Sequence, residues 1–170
     1  SESGETIYER KATDPVPTAS VMKLLTTTAA IEVLGPDFRI PTRVYAGSEP
    51  GTVVLVGGGD VTLASTVSGA SSYYSGATAT LADLAAQTRT SWSNDASLSG
   101  TALTQVLFDK TAFSGAEWQP SWSQADRTDG YISPISALMV DGGRQDPASL
   151  VSPRTEDPSG AAAAAFATRL

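Results

Sequence analysis

Ser20 and Lys23 stand three positions apart in the stretch PTASVMKLLTTTAAIEVLGPD, which covers residues 17–37. The pattern predicts that a helix begins here, and residues three apart on a helix share one face. A serine hydroxyl and a lysine amine would then lie within hydrogen-bond reach, as a nucleophile and its base must. The alternative is a helix cap followed by an ordinary surface lysine, because Ser-x-x-Lys is frequent by chance.

The chain of 170 residues contains neither histidine nor cysteine. A Ser-His-Asp triad, a thiol nucleophile and the common zinc sites are therefore excluded within it. A serine nucleophile would need another base, and lysine can serve where its surroundings disfavour the ammonium form. Lys23 has Met22, Leu24 and Leu25 as neighbours, so we expect such surroundings. The free N–H groups at the helix start would also stabilise an oxyanion at Ser20.

Composition limits the possible partners. The chain carries 18 acidic and 11 basic residues, a formal charge of -7, which argues against a nucleic-acid surface. Its 41% hydrophobic content is enough for one ordinary domain core and parts of two. No window approaches the roughly 20 apolar residues of a membrane helix. Residues 1–10 lack the basic and apolar sections of a signal peptide.

The pattern of apolar and turn-forming residues predicts an α/β (α+β) fold. In chain order we predict a strand within 5–12, a helix capped by Thr18 or Ser20 and stopped by Gly35, a strand within 51–60, a helix over 79–88, a strand over 102–109, a strand within 133–144 and a capped helix over 157–170. The order strand, helix, strand across 51–109 predicts a β-α-β unit. We interpret Trp118 and Trp122 as anchors of a surface connection.

Glycine-rich turns follow two of these elements. The run Gly57-Gly58-Gly59-Asp60 could be mistaken for a phosphate loop, but no lysine follows it and no helix begins there. We therefore favour a strand-end turn in which Asp60 accepts hydrogen bonds. The run DGGR over 141–144 predicts a second tight turn.

Three blocks in one order resemble a known family. They are YERKATDPVPTASVMKLLTTTAAIEVLGPDFRIPTRVYAG (8–47), VVLVGGGDVTLA (53–64) and GYISPISALMVDGGR (130–144). Together they resemble the class C, low-molecular-mass penicillin-binding proteins, which are D-alanyl-D-alanine carboxypeptidases and endopeptidases. Three ordered blocks are far more specific than one tetrapeptide.

The resemblance implies a mechanism and a location. Ser20 would be the nucleophile, with its backbone N–H in the oxyanion hole, and Lys23 would be its general base. The substrate would be the peptidoglycan stem peptide, and β-lactam antibiotics would acylate the same serine. No metal or organic cofactor would be required. The protein would act outside the cytoplasm, in the cell envelope or as a secreted enzyme.

The resemblance also implies a division of the chain. Residues 1–44 would belong to a serine transpeptidase/β-lactamase-like domain, an antiparallel sheet with helices. Residues 45–170 would form an inserted domain with the β-α-β unit, incomplete at its C-terminal end.

Two further motifs of this family are absent from these residues. The chain has no Ser-x-Asn and no Lys-Thr-Gly. Its nearest string, Lys110-Thr111-Ala112, is interpreted as a polar strand end. We therefore expect an amino-terminal portion that needs the C-terminal half of the same enzyme and is inactive alone.

Two other classes of protein stay open. A class A-like β-lactamase also uses Ser-x-x-Lys, but would continue with helices and a Ser-Asp-Asn motif. A non-catalytic cell-wall-binding module would retain Ser20 only as a cap.

Overall fold

The computed structural model describes residues 3–65, 73–74 and 79–170. The chain divides into two compact units, Ser1–Arg39 and Ile40–Leu170. The assignment of 1–44 to a transpeptidase-like domain and of 45–170 to an inserted domain stays a prediction.

The described residues of the first unit contain one α-helix. Residues 5–12, expected to form a strand, instead have an irregular backbone with bends and a turn, so that prediction is wrong. A strand is stabilised by pairing with a neighbour, and the described residues supply no partner strand for this segment. Ile7 and Tyr8 are consequently 83% and 78% exposed.

Helix α1, Met22–Leu34, follows a 3₁₀ turn over Ala19–Val21. The predicted cap is wrong, because in the described structure neither the turn nor α1 begins with a side-chain capping bond. Thr18 precedes the turn in a helical conformation, whereas a capping residue needs an extended one. The predicted stop is confirmed: Gly35 ends α1 with φ 83°.

The second unit is built on a mixed sheet. Its strands are β1 (Arg43–Ala46), β2 (Thr52–Val56) and β3 (Gln105–Asp109), in the order β1-β2-β3. Strand β1 pairs antiparallel with β2, and β2 pairs parallel with β3. Strands β2 and β3 were predicted, whereas β1 was not. The expected α/β class is confirmed.

Helix α2, Leu81–Asn94, connects the two parallel strands and completes the predicted β-α-β unit. It begins at Thr80, whose hydroxyl accepts a hydrogen bond from the Asp83 N–H at 3.0 Å. The core of the unit lies between sheet and helices and comprises Val53, Leu55, Leu63, Leu81, Ala85, Trp92, Leu138, Ala162 and Phe166.

Two further helices belong to this unit. Helix α3 is short, Gln124–Thr128. Helix α4, Pro158–Ala167, is the predicted alanine-rich helix, and Asp157 caps it by accepting from the Gly160 N–H at 2.9 Å. No helix within the described residues has the length and apolar character needed to cross a membrane.

The strand predicted within 133–144 is not found. The segment is irregular and ends in a 3₁₀ turn over Asp141–Gly143. It is nevertheless buried at Leu138. Single hydrogen bonds hold it, from Gly59 N–H to Ala137 O at 2.7 Å and from Asp141 N–H to Leu63 O at 2.8 Å. The apolar residues of this segment are explained by burial and not by strand pairing. In a short segment, the spacing of apolar residues cannot distinguish the two.

Candidate active site

Ser20 and Lys23 lie together at the start of α1. Ser20 is inside the 3₁₀ turn and Lys23 is the second residue of the helix. Lys23 Nζ donates a hydrogen bond to Ser20 Oγ over 2.9 Å. The predicted juxtaposition is present, and it follows from helical spacing alone. The roles of nucleophile and base stay predictions.

The residue before Ser20 has an unusual backbone. Ala19 has φ 44°, one of few non-glycine residues with positive φ in the described structure. This conformation brings Cβ close to the backbone and costs an L-residue roughly 1–2 kcal/mol. Such strain is concentrated where structure fixes a functional group. Sequence reasoning missed it, because alanine carries no signal for this conformation.

The surroundings of the pair are more open than expected. Ser20 and Lys23 are exposed, and no described residue of α1 is buried. Leu24 and Leu25, expected to shield Lys23 from water, are 67% and 65% exposed. The expected desolvation of the lysine is therefore wrong for this chain. The reason is that α1 packs no apolar side chain into a core here.

The turn after β2 is a strand end, as predicted. Asp60 Oδ1 accepts hydrogen bonds from the N–H and hydroxyl of Thr62, at 2.8 and 2.7 Å. Gly57 lies against the backbone of Ala137, where a Cβ would overlap the carbonyl oxygen. The glycine is thus explained by close packing.

Lys110-Thr111-Ala112 also forms a polar strand end. It follows β3, and Thr111 N–H donates to Asp109 Oδ1 at 2.7 Å. The Thr111 hydroxyl, and then its N–H, lower the pKa of Asp109 below its ordinary value. Lys110 pairs with Glu117 at 2.9 Å.

Arg154 is a buried cation that sequence reasoning missed. Its guanidinium donates to Gly130 O at 3.2 and 3.0 Å and to Gly142 O at 2.9 Å. Burial lowers its pKa, and the nearby Arg144 adds to that effect. The carbonyl partners indicate that Arg154 ties the DGGR turn to the loop after α3.

The described residues contain no group of three or more histidine, cysteine, aspartate or glutamate side chains that could hold a metal ion. A hydroxyl beside an amine at a helix start can supply a nucleophile and a proton acceptor.

A family model identifies the family to which the chain belongs. The model for the D-Ala-D-Ala carboxypeptidase 3 (S13) family matches residues 1–164. The chain belongs to the S13 family. The match covers both units of the structure, and the resemblance drawn from the three sequence blocks is confirmed.

Curated relatives agree with this assignment. Carboxypeptidase DacB of Mycolicibacterium smegmatis is 39% identical over 170 residues, which are 99% of this chain and 35% of that protein. Carboxypeptidase Rv3627c of Mycobacterium tuberculosis is 40% identical over 159 residues, 92% of this chain and 32% of that protein. The D-alanyl-D-alanine carboxypeptidase of Actinomadura sp. is 32% identical over 146 residues, 81% of this chain and 23% of that protein.

The chain spans 35% and 32% of the length of the first two relatives, about a third of each. S13 membership therefore describes this part of the sequence.

Proposed function

We propose that Ser20 and Lys23 are the nucleophile and general base of a serine-type D-Ala-D-Ala carboxypeptidase or endopeptidase that acts on peptidoglycan stem peptides. The observation that carries the proposal is the 2.9 Å separation of Lys23 Nζ and Ser20 Oγ. A proton can pass directly between atoms at this distance. S13 membership supplies the substrate class.

In the proposed reaction, the uncharged Lys23 amine accepts the Ser20 hydroxyl proton as Oγ attacks the carbonyl carbon between two D-alanines. The oxyanion of the tetrahedral intermediate is stabilised by the Ser20 backbone N–H. The C–N bond then breaks, and the departing amine takes the proton from Lys23. An ester on Ser20 remains, and water hydrolyses it. A β-lactam would form the same ester and leave it slowly.

Further groups must complete this site. The 170 residues contain neither Ser-x-Asn nor Lys-Thr-Gly, and the first two curated relatives are about three times as long. We propose that sequence outside residues 1–170 supplies these groups and covers the exposed apolar residues beside Lys23. Such covering would favour the uncharged amine. Alone, the 170-residue chain would be inactive. The enzyme would work in the cell envelope or outside the cell.

Labelling by fluorescent penicillin tests the proposal. The full-length protein should form a stable adduct at Ser20, and Ser20→Ala should abolish it with the fold preserved. Ser123→Ala is the matched control, because Ser123 is an exposed serine at the start of another helix. An adduct that survives Ser20→Ala would refute the nucleophile. Rapid turnover of nitrocefin would instead favour the β-lactamase class.

A further inference from the structure

The second unit contains a cavity lined mainly by polar residues. In the sequence, these residues are far from Ser20 and Lys23. The volume of the cavity is about 340 Å³. This is within the range of small-molecule sites, roughly 300–1,000 Å³. The side chains that line it are planar polar groups and two apolar ones: Glu117, Trp118, Gln124, Arg127, Pro134 and Glu156.

The charges around this cavity are paired with one another. Arg127 binds Glu156 at 2.6 Å, and Glu117 binds Lys110 at 2.9 Å. Arg127 Nε also donates to Gln124 Oε1 at 3.3 Å. Because each carboxylate already has a cation, the cavity offers hydrogen-bonding groups with little net charge. An uncharged polar ligand suits it better than an ion.

Trp118 provides an aromatic wall with an unused donor. Its ring packs edge-on against Trp122, with centroids 5.3 Å apart and an interplanar angle of 86°. Its Nε1 is buried and has no hydrogen-bond acceptor among the described residues. Trp92, in contrast, donates to Thr101 O at 2.8 Å. A buried donor without a partner is costly and requires an explanation. Trp118 also lines the cavity, so a bound ligand is one source of the missing acceptor.

We propose that this cavity binds one unit of an uncharged saccharide. A pyranose has apolar C–H faces, which pack against an indole or a proline ring, and a rim of hydroxyl groups. Trp118 and Pro134 supply the apolar contact, and Gln124, Glu117 and Arg127 supply donors and acceptors for the rim. The combination of aromatic surface and planar polar groups matches both parts of such a ligand.

The saccharide class follows from the cavity, whereas the choice of an N-acetylated amino sugar rests on the proposed function. Stem peptides are attached to a glycan of such sugars. A weak glycan site on the same chain would raise the effective concentration of the attached peptides.

The test is a titration of the 170-residue chain with chitotetraose, a tetramer of N-acetylglucosamine. The chain has 3 tryptophans, so three indole N–H signals can be followed by ¹H–¹⁵N NMR. We expect the Trp118 signal to shift and the signal of Trp92, already bonded to Thr101, to stay. No shift up to about 10 mM, ten times a Kd of 1 mM, would overturn the proposal. Binding of maltotetraose alone would overturn the amino-sugar assignment.

Two glutamine variants locate the site. Gln124→Ala should weaken chitotetraose binding about threefold to tenfold, the effect of one lost hydrogen bond. Gln87→Ala is the matched control, since Gln87 is also an exposed helical glutamine but lines a different cavity. Trp118→Ala should weaken binding at least about tenfold. Weakening by Gln87→Ala without an effect of Gln124→Ala would place the sugar elsewhere and refute the proposal.

This experiment is independent of catalysis. Ser20→Ala should bind chitotetraose as the unaltered chain does, because Ser20 does not line the cavity. Sugar binding without penicillin labelling of the full-length protein would contradict only the proposed function. Penicillin labelling without sugar binding would contradict only the saccharide site.

Discussion

Lys23 Nζ, in the first turn of α1, lies 2.9 Å from Oγ of Ser20 in the 3₁₀ turn that precedes the helix. The bond joins two exposed side chains, so its contribution to stability is small. The proposed catalytic roles therefore predict that substitutions of the pair affect acylation more than stability.

Replacement of Lys23 tests its role as a base. In the full-length protein, Lys23→Met should slow acylation by fluorescent penicillin about 10²–10⁴-fold, the usual effect of a general base. Lys23→Arg should not restore the rate, because a guanidinium can donate to Ser20 but cannot accept a proton. Lys11→Met, also an exposed lysine of the first unit, is the control and should react normally. Full activity of Lys23→Arg would show that the lysine only positions Ser20.

Gly57 should not tolerate a side chain. A Cβ there would overlap Ala137 O and lie 2.5 Å from Leu138 Cβ. We expect Gly57→Ala to lower the free energy of unfolding by about 1–3 kcal/mol, the cost of overpacking. Gly100→Ala has no atom within 4 Å of the new Cβ and is the control. Chemical denaturation monitored by circular dichroism measures both, and equal stability of the two variants would contradict the observed packing.

Phe166 should contribute more to the stability of the second unit than Phe108 does. Its side chain is 0% exposed on α4, whereas Phe108 on β3 is 39% exposed. Phe166→Ala should lower the free energy of unfolding by about 3–5 kcal/mol. Phe108→Ala should cost clearly less, because it leaves no enclosed cavity. Chemical denaturation measures both variants. Equal losses of the free energy of unfolding would contradict the burial of Phe166 in the core.

Asp109 should make stability depend on pH at the acid end. Its pKa is lowered in the folded chain, chiefly by the Thr111 hydroxyl. The carboxylate therefore stabilises the fold above its unfolded pKa of about 3.9, and this contribution is lost as pH falls through the lower folded value. Thr111→Val should raise the pKa of Asp109 partway, since the backbone N–H bond at 2.7 Å remains.

An NMR titration of the carboxyl carbons would measure this change. Asp95 is the internal reference, because Ser97 lowers its pKa in the same manner and Thr111→Val does not touch it. An unchanged Asp109 pKa in Thr111→Val would mean that the hydroxyl is not the main cause.

Much of the second unit was predictable because its signals are local. The β-branched run of β2, the Asp157 cap and the alanine-rich α4 each specify an element through nearby residues. Strand β1 carries a weak pattern of its own and exists through its antiparallel pairing with β2. Residues 5–12 have strand-forming side chains. They form no strand, because the described structure supplies no partner strand for them.

The sequence by itself determined the pairing of Ser20 with Lys23, because three-residue spacing on a helix brings side chains together wherever the helix lies. It also excluded histidine and cysteine chemistry. Tertiary structure alone decided the burial of Arg154 among carbonyl groups and the cavity beside Trp118. Both features depend on contacts between residues far apart in the chain, which no local sequence pattern encodes.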